Sequence, residues 1–197
     1  MHKTKRKIFE KAMELFATKG YDSTSIEEIT AVAGIAKGTF YYHFQKKEDI
    51  FFFLVEEGGK LLINSVELRI KKADNSIEKI KEIILVQIKV IIKYENFVRI
   101  ILGDMWGNGE RNKACKKCIE NYLFKIKNVV EEGMSKGEIK KGNPEVTAYV
   151  IYSVICSCLM YKGKEELTIN ELYKEYTDYI LKLLKNWPSS LMTLISF

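Results

Sequence analysis

Proline and histidine are nearly absent from the 197 residues, with two of each. Scarce proline removes the strongest helix breaker and excludes a proline-rich or collagen-like chain. With only His2 and His43, neither a His-Glu-x-x-His zinc site nor a paired di-metal set can be assembled. Four cysteines, Cys115, Cys118, Cys156 and Cys158, are too few and too clustered for a secreted disulfide scaffold. In a helix Cys115 and Cys118 share a face while Cys156 and Cys158 diverge, so the pairs read first as packing and second as a thiol- or metal-responsive sensor. Long apolar runs are missing as well. The stretch 83–92 is interrupted by Gln87 and Lys89, short of the ~20 residues that a spanning helix needs. The basic start runs straight into an amphipathic pattern with Glu10 and Glu14, where a signal peptide would have an apolar run. A soluble, cytoplasmic chain with no membrane partner is expected.

What is present is a globular composition, 47% hydrophobic and 29% charged. The net charge of +6 is unevenly placed: up to Lys47 there are nine Lys or Arg against five Asp or Glu, and beyond it 23 against 21. A basic first quarter on a nearly neutral body suits a polyanion partner for that quarter.

Apolar residues recur at spacings of three and four almost throughout, which predicts about nine helices and no strand. Ile8, Phe9, Ala12, Met13, Leu15 and Phe16 form the face of a first helix, and Gly20 stops it. Ser23, Thr24 and Ser25 offer caps for a short second helix that Gly34 ends, with Glu27 and Glu28 at capping-box spacing from Thr24 and Ser25. A third begins near Ala36 or Lys37, and a longer fourth opens at Lys46 to Asp49. Further helices are expected from Asn75 to about Tyr94, from Phe97 to Leu102 and from Arg111 to Ser135. Two more start at Asn143-Pro144 and at Thr168 with Glu171.

Two short helices joined by a glycine turn, behind a longer basic helix, describe a helix-turn-helix. The residues Ser25-Ile-Glu-Glu-Ile-Thr-Ala-Val-Ala-Gly34-Ile-Ala-Lys37-Gly38-Thr39-Phe40-Tyr41-Tyr42-His43-Phe44, with Phe16, Gly20-Tyr21 and Lys47-Glu48-Asp49 around them, resemble the N-terminal domain of TetR-family transcriptional regulators. The resemblance covers roughly residues 8–54. It implies an all-α fold with a DNA-binding domain at 1–47 and a ligand-binding and dimerisation domain at 48–197. Many members carry Tyr-His-Tyr-Phe where this chain has Tyr41-Tyr42-His43-Phe44, a difference that bears on base preference.

The residues support the same roles. Ile29, Ala33, Ile35, Phe40 and Phe44 would fix the crossing of the second and third helices. The third helix would then offer its polar residues to a major groove. Lys37, Thr39 and Tyr42 are assigned mixed base and phosphate contact, and Gly38 leaves room for a groove edge. Tyr41, His43 and Lys47, with Thr24 or Ser25 at the start of the second helix, are assigned to phosphates. Tyr41 reads equally as a packing residue against the fourth helix. Lys3, Lys5, Arg6 and Lys7 read as a frayed tail or as an arm along the phosphate backbone.

In the body, the last two helices are apolar over more than one face, and Val150, Val154, Leu172, Tyr176, Tyr179, Ile180 and Leu183 are the candidate homodimer surface. Phe97, Ile101, Met105, Trp106, Tyr122, Phe124, Tyr152, Cys156 and Met160 are candidate walls of an effector cavity, with plain core as the competing reading. The expected function is a repressor that binds a palindromic operator on double-stranded DNA as a homodimer and is released by a small apolar or aromatic effector. No cofactor and no enzymatic activity are expected. Gly107-Asn108-Gly109 lacks the third glycine of a dinucleotide fingerprint, and Ser76-x-x-Lys79 reads as a helix cap. The apolar tail 191–197 has no assigned role.

Overall fold

The computed structural model describes residues 3–161 and 167–185, so the apolar tail and the ends expected near Gly163 and Trp187 lie outside the described residues. Among them the chain forms ten helices and no strand: α1 (Lys3–Lys19), α2 (Ile26–Ala33), α3 (Lys37–His43), α4 (Lys47–Ile70), α5 (Ser76–Lys93), α6 (Glu95–Gly103), α7 (Glu110–Ser135), α8 (Pro144–Cys156), the single turn α9 (Cys158–Tyr161) and α10 (Ile169–Lys185). The caps foreseen from sequence are made. Asn143 Oδ1 accepts from the Glu145 and Val146 amides ahead of Pro144, and Thr168 and Glu171 exchange bonds at the start of α10.

The chain divides into two compact units, 1–61 with 93–120 and 62–92 with 121–197. The first therefore holds α1 to α3, the start of α4, α6 and the start of α7. Its core is Ile8, Ala12, Phe16, Ile29, Phe40, Ile50, Phe51 and Leu54, all essentially without solvent contact. At about 1.5–3 kcal/mol for each large apolar side chain withdrawn from water, this cluster is what stabilises three short helices that could not stand alone. Two small residues let helices close up here. A Cβ at Gly58 of α4 would lie 2.9 Å from the Phe97 ring of α6, and one at Gly59 would lie 2.7 Å from the Cys118 sulfur of α7.

The second unit is built on Val66, Ile80, Ile83, Ile84, Ile88, Ile126, Val130, Ile151, Ile155, Ile180 and Leu184. Among the described residues Pro144–Tyr161, with mean hydropathy 1.3, passes by length and composition as a membrane span, and 28% of it is buried. It is not one continuous helix, because Ser157 caps α8 and donates its hydroxyl to the Val154 carbonyl at 2.6 Å.

Candidate nucleic-acid interface

α2 begins with a reciprocal cap. The Ser25 hydroxyl accepts from the Glu28 amide at 3.1 Å, and the Ser25 amide donates to the Glu28 carboxylate at 3.0 Å. Lys19 and the Ser25 bonds hold the Glu28 carboxyl below its usual range. Thr24, expected at a phosphate, is buried, and its hydroxyl donates to the Gly20 carbonyl at 2.8 Å. Of the pair, only Ser25 keeps partial exposure. Gly34 ends α2 in the left-handed region at φ +57°, where its amide meets the Ala31 and Thr30 carbonyls.

That turn sends α3 across α2 with one face inward. Phe40 is fully buried and tilts against Phe44 at 5.7 Å between ring centroids. The outward residues are then fixed by helical period. Lys37, Gly38, Tyr41 and Tyr42 are exposed, and Thr39 and His43 half-buried. Tyr42 is 85% exposed and rests edge-on against His43 at 5.0 Å. Nothing lies within 4 Å of a Cβ built at Gly38, so the start of α3 is open to a surface brought against it. Tyr41 has its ring edge-on to Phe40 of its own helix at 5.7 Å and nearly half its surface exposed.

Lys37 pairs with Glu27 of α2 and lies over the Tyr41 ring at 6.0 Å. The hydrogen bond and opposite charge raise the Lys37 ammonium above its ordinary range and lower the Glu27 carboxyl. Lys47 is placed differently from the expected phosphate contact. Its ammonium donates to the carbonyls of Tyr21 at 2.9 Å, Asp22 at 3.3 Å and Thr24 at 3.0 Å, and sits 4.3 Å from the Tyr21 ring centroid. From Lys3 onward the basic start is not a frayed tail but the first turn of α1. Lys5 lies 4.0 Å from the Phe53 ring centroid, and Arg6 pairs with Glu10 at 2.9 Å.

The nine candidate cavity walls fall into both units. In the first, Ile101 is buried, Phe97 lies against Gly58, Met105 is half-buried and Trp106 is 82% exposed. In the second, Tyr122, Tyr152 and Cys156 come together, while Phe124 and Met160 are exposed. The centre of that group is Gln87, which sequence reading treated only as an interruption. The Tyr122 hydroxyl donates to Gln87 Oε1 at 3.2 Å, and Gln87 Nε2 faces the Tyr152 carbonyl and the Cys156 sulfur, each at 3.5 Å. Burial raises the Tyr122 hydroxyl and pushes the Cys156 thiol up to about 11. Trp106, Phe124 and Met160 thus belong to surface rather than to walls, because helical spacing groups residues without saying which group faces inward.

Val150 and Val154 of the candidate dimer face line a groove of about 490 Å³ along the outer side of α8, with Asn143, Glu145, Val146, Tyr149 and Ser153. Tyr179 is exposed, and Tyr176 and Leu183 half-buried. Leu172 and Ile180 differ from expectation: both are buried inside one protomer and are not available to a second copy. All four cysteines are free thiols. Burial pushes Cys115 up to about 12 and raises Cys118, and among the described residues no group of three or more His, Cys, Asp or Glu is arranged to hold a metal.

Comparison with known proteins accords with this geometry. The family model described as bacterial regulatory proteins, tetR family, matches residues 8–53, and that described as the tetracyclin repressor-like C-terminal domain matches 73–184. The fatty acid metabolism regulator protein of Bacillus subtilis is 28% identical over 136 residues, covering 68% of this chain and 70% of that protein. The negative transcriptional regulator of the icaADBC biofilm operon in Staphylococcus aureus, IcaR, is 27% identical over 132 residues, 62% and 71% of the two chains. A solved Clostridium perfringens protein, described as a candidate fatty acid metabolism regulator, superposes with a TM-score of 0.82 at 29% identity, covering 89% of this chain and 97% of that one. Since the buried Phe40, the left-handed Gly34 and the outward α3 lie inside the first matched segment, and α8 with α10 inside the second, the chain belongs to the TetR family and is a DNA-binding transcriptional regulator.

Proposed function

We propose that the protein is a homodimeric repressor that reads a palindromic operator through α3 and lets go of it when an apolar, acyl-bearing small molecule occupies the second unit. The observation that carries the first half is the division of α3, with Phe40 buried and Lys37, Gly38, Tyr41 and Tyr42 outward. One such helix offers a few base contacts, so two copies related by a two-fold axis are the natural reader of a palindrome. The outer side of α8, with Val146, Tyr149 and Val150, supplies an apolar face for the second copy. Base and phosphate contacts are assigned to Ser25, Lys37, Gly38, Thr39, Tyr41, Tyr42 and His43. Lys47 and Thr24 support them from behind by holding the loop before α2.

The effector class is supported by two relatives described as regulators of fatty acid metabolism. It is also supported by the buried Tyr122, Gln87 and Cys156 group, which offers a polar handle inside an apolar body. An all-helical regulator of the same fold at 20% identity is described in complex with isovaleryl coenzyme A and operator DNA. The repressor acts in the cytoplasm, where DNA and acyl thioesters meet.

The test is selection from random duplex DNA, followed by titration of the selected complex with isovaleryl and palmitoyl coenzyme A. An enriched palindrome with half-sites about one helical turn apart, released by one of the thioesters, is the expected result. Binding without sequence preference, abolished by salt alone, would reduce the head to an electrostatic patch and end the proposal.

A further inference from the structure

Arg111, in the first turn of α7, belongs to no motif of the sequence, yet its side chain ties the loop before α2 to the end of α6. Its guanidinium bonds Asp22 of the α1–α2 loop at 3.1 Å and Asp104, at the end of α6, at 3.3 Å. It lies 4.2 Å from the Tyr21 ring centroid and 5.5 Å from that of Phe51. Lys47 ties the same loop from α4 through three backbone carbonyls. The loop that launches α2 is therefore held at two points by cations from other helices.

The anchor on which Arg111 stands is stiff. Asn112 donates to the Asp104 carbonyl at 2.8 Å and accepts from the Gly109 amide at 2.9 Å, while Lys116 donates to the Gly107 carbonyl at 3.0 Å. These bonds brace the turn between α6 and α7. A planar guanidinium with its fork shared between two carboxylates and one face on an aromatic ring fixes direction as well as distance. Asp22 itself is 87% exposed and has no core role.

We propose that Arg111 is a positioning residue of the reading head. It sets the loop carrying Asp22, and hence the start of α2, against the end of α6, so that operator affinity depends on a side chain already occupied by two carboxylates. Displacement of the α6 end reaches α2 through this link. The inference rests on the reading of α3 as the operator-binding helix.

The decisive variant is Asp22→Asn, because the two accounts give it opposite signs. If Asp22 is merely an acid near DNA, removing its charge tightens binding to every duplex. If it is the handle by which Arg111 holds the loop, operator binding weakens by about three- to tenfold while scrambled DNA is bound as well as before or better. Arg111→Ala should weaken operator binding at least as much, Arg111→Lys should restore part of it, and the double variant Asp22→Asn/Arg111→Ala should be no worse than Arg111→Ala alone. Amide exchange across residues 20–25 should quicken in the same variants. Should Arg111→Ala fail to fold, Asp22→Asn and Asp104→Asn still decide the matter. Folded Asp22→Asn that binds operator and scrambled duplex more tightly in equal measure, or binds operator as wild type does, overturns the inference. A wild-type protein that selects no operator at all would refute the reading of α3 instead.

Discussion

Removal of the Tyr42 ring separates recognition from stability in one substitution. Tyr42 is 85% exposed and its ring neighbour among the described residues is His43, so Tyr42→Ala should change folding free energy by no more than about 0.5 kcal/mol. On DNA the same ring, on the outward side of α3, is expected to contribute about 1–3 kcal/mol for a contact to a base edge. A two-fold complex holds two copies, and if they act independently the loss doubles to about 2–6 kcal/mol, roughly thirty-fold to twenty-thousand-fold in affinity. Fluorescence anisotropy on the selected operator and on a scrambled duplex, at two salt concentrations, reads both the size and the kind of contact. Loss confined to the operator, with an unchanged melting temperature, is the expected outcome. Equal loss on both duplexes would make Tyr42 a phosphate contact, and wild-type affinity on both would place the groove elsewhere than along α3.

Gly58→Ala should cost about 1–3 kcal/mol of stability by overpacking, since its Cβ would stand 2.9 Å from the Phe97 ring, and Phe97→Leu in the same chain should recover most of it in thermal unfolding. Glu138 accepts from the Ser76 amide at 2.7 Å, and its bonding to Ser76 holds the carboxyl below the ordinary 4.5. A lowered carboxyl stabilises the fold above its unfolded pKa and stops doing so as pH falls through the folded one, so wild type should lose more melting temperature than Glu138→Gln between about pH 5 and 3. Parallel curves would remove Glu138 from the account of acid sensitivity. Tyr149→Glu and Val150→Glu, on the outer side of α8, should yield helical monomers by sedimentation that bind operator weakly; intact dimers would move the interface to another face.

Much of the head was legible in sequence because its signals are local. A serine cap with glutamate three residues on, a glycine where φ must be positive, and a phenylalanine between polar neighbours each act within one turn of chain. The body was legible only as helices. The first half of α4 buries Ile50, Phe51, Leu54 and Val55 along one face, and periodicity groups that face without saying which neighbour it meets. For the same reason Leu172 and Ile180 were grouped with Tyr179, although only Tyr179 of the three faces outward. Arg111 and Gln87 were invisible for a different reason. Each gains its role from residues far away in sequence, Asp22 for one and Tyr122 and Cys156 for the other, and no spacing rule spans such distances.

The pairing of Lys37 with Glu27 bears on how the head responds to ionic strength. A lysine that meets DNA from free solution drives binding by releasing condensed counterions, and each such contact steepens the fall of affinity with salt. If α3 reads the operator as proposed, Lys37 comes to the duplex with its counter-charge already bound, in a carboxylate that cannot diffuse away. Contact with a phosphate is then an exchange of one anion for another, and it leaves Glu27 facing the backbone. Among random sequences that exchange has little to favour it; on the operator, where α3 is seated by its base contacts, it does. On that reading the carboxylate would act as an internal salt that thins out indiscriminate binding more than specific binding, and the slope of affinity against salt should count fewer phosphates than the head has lysines.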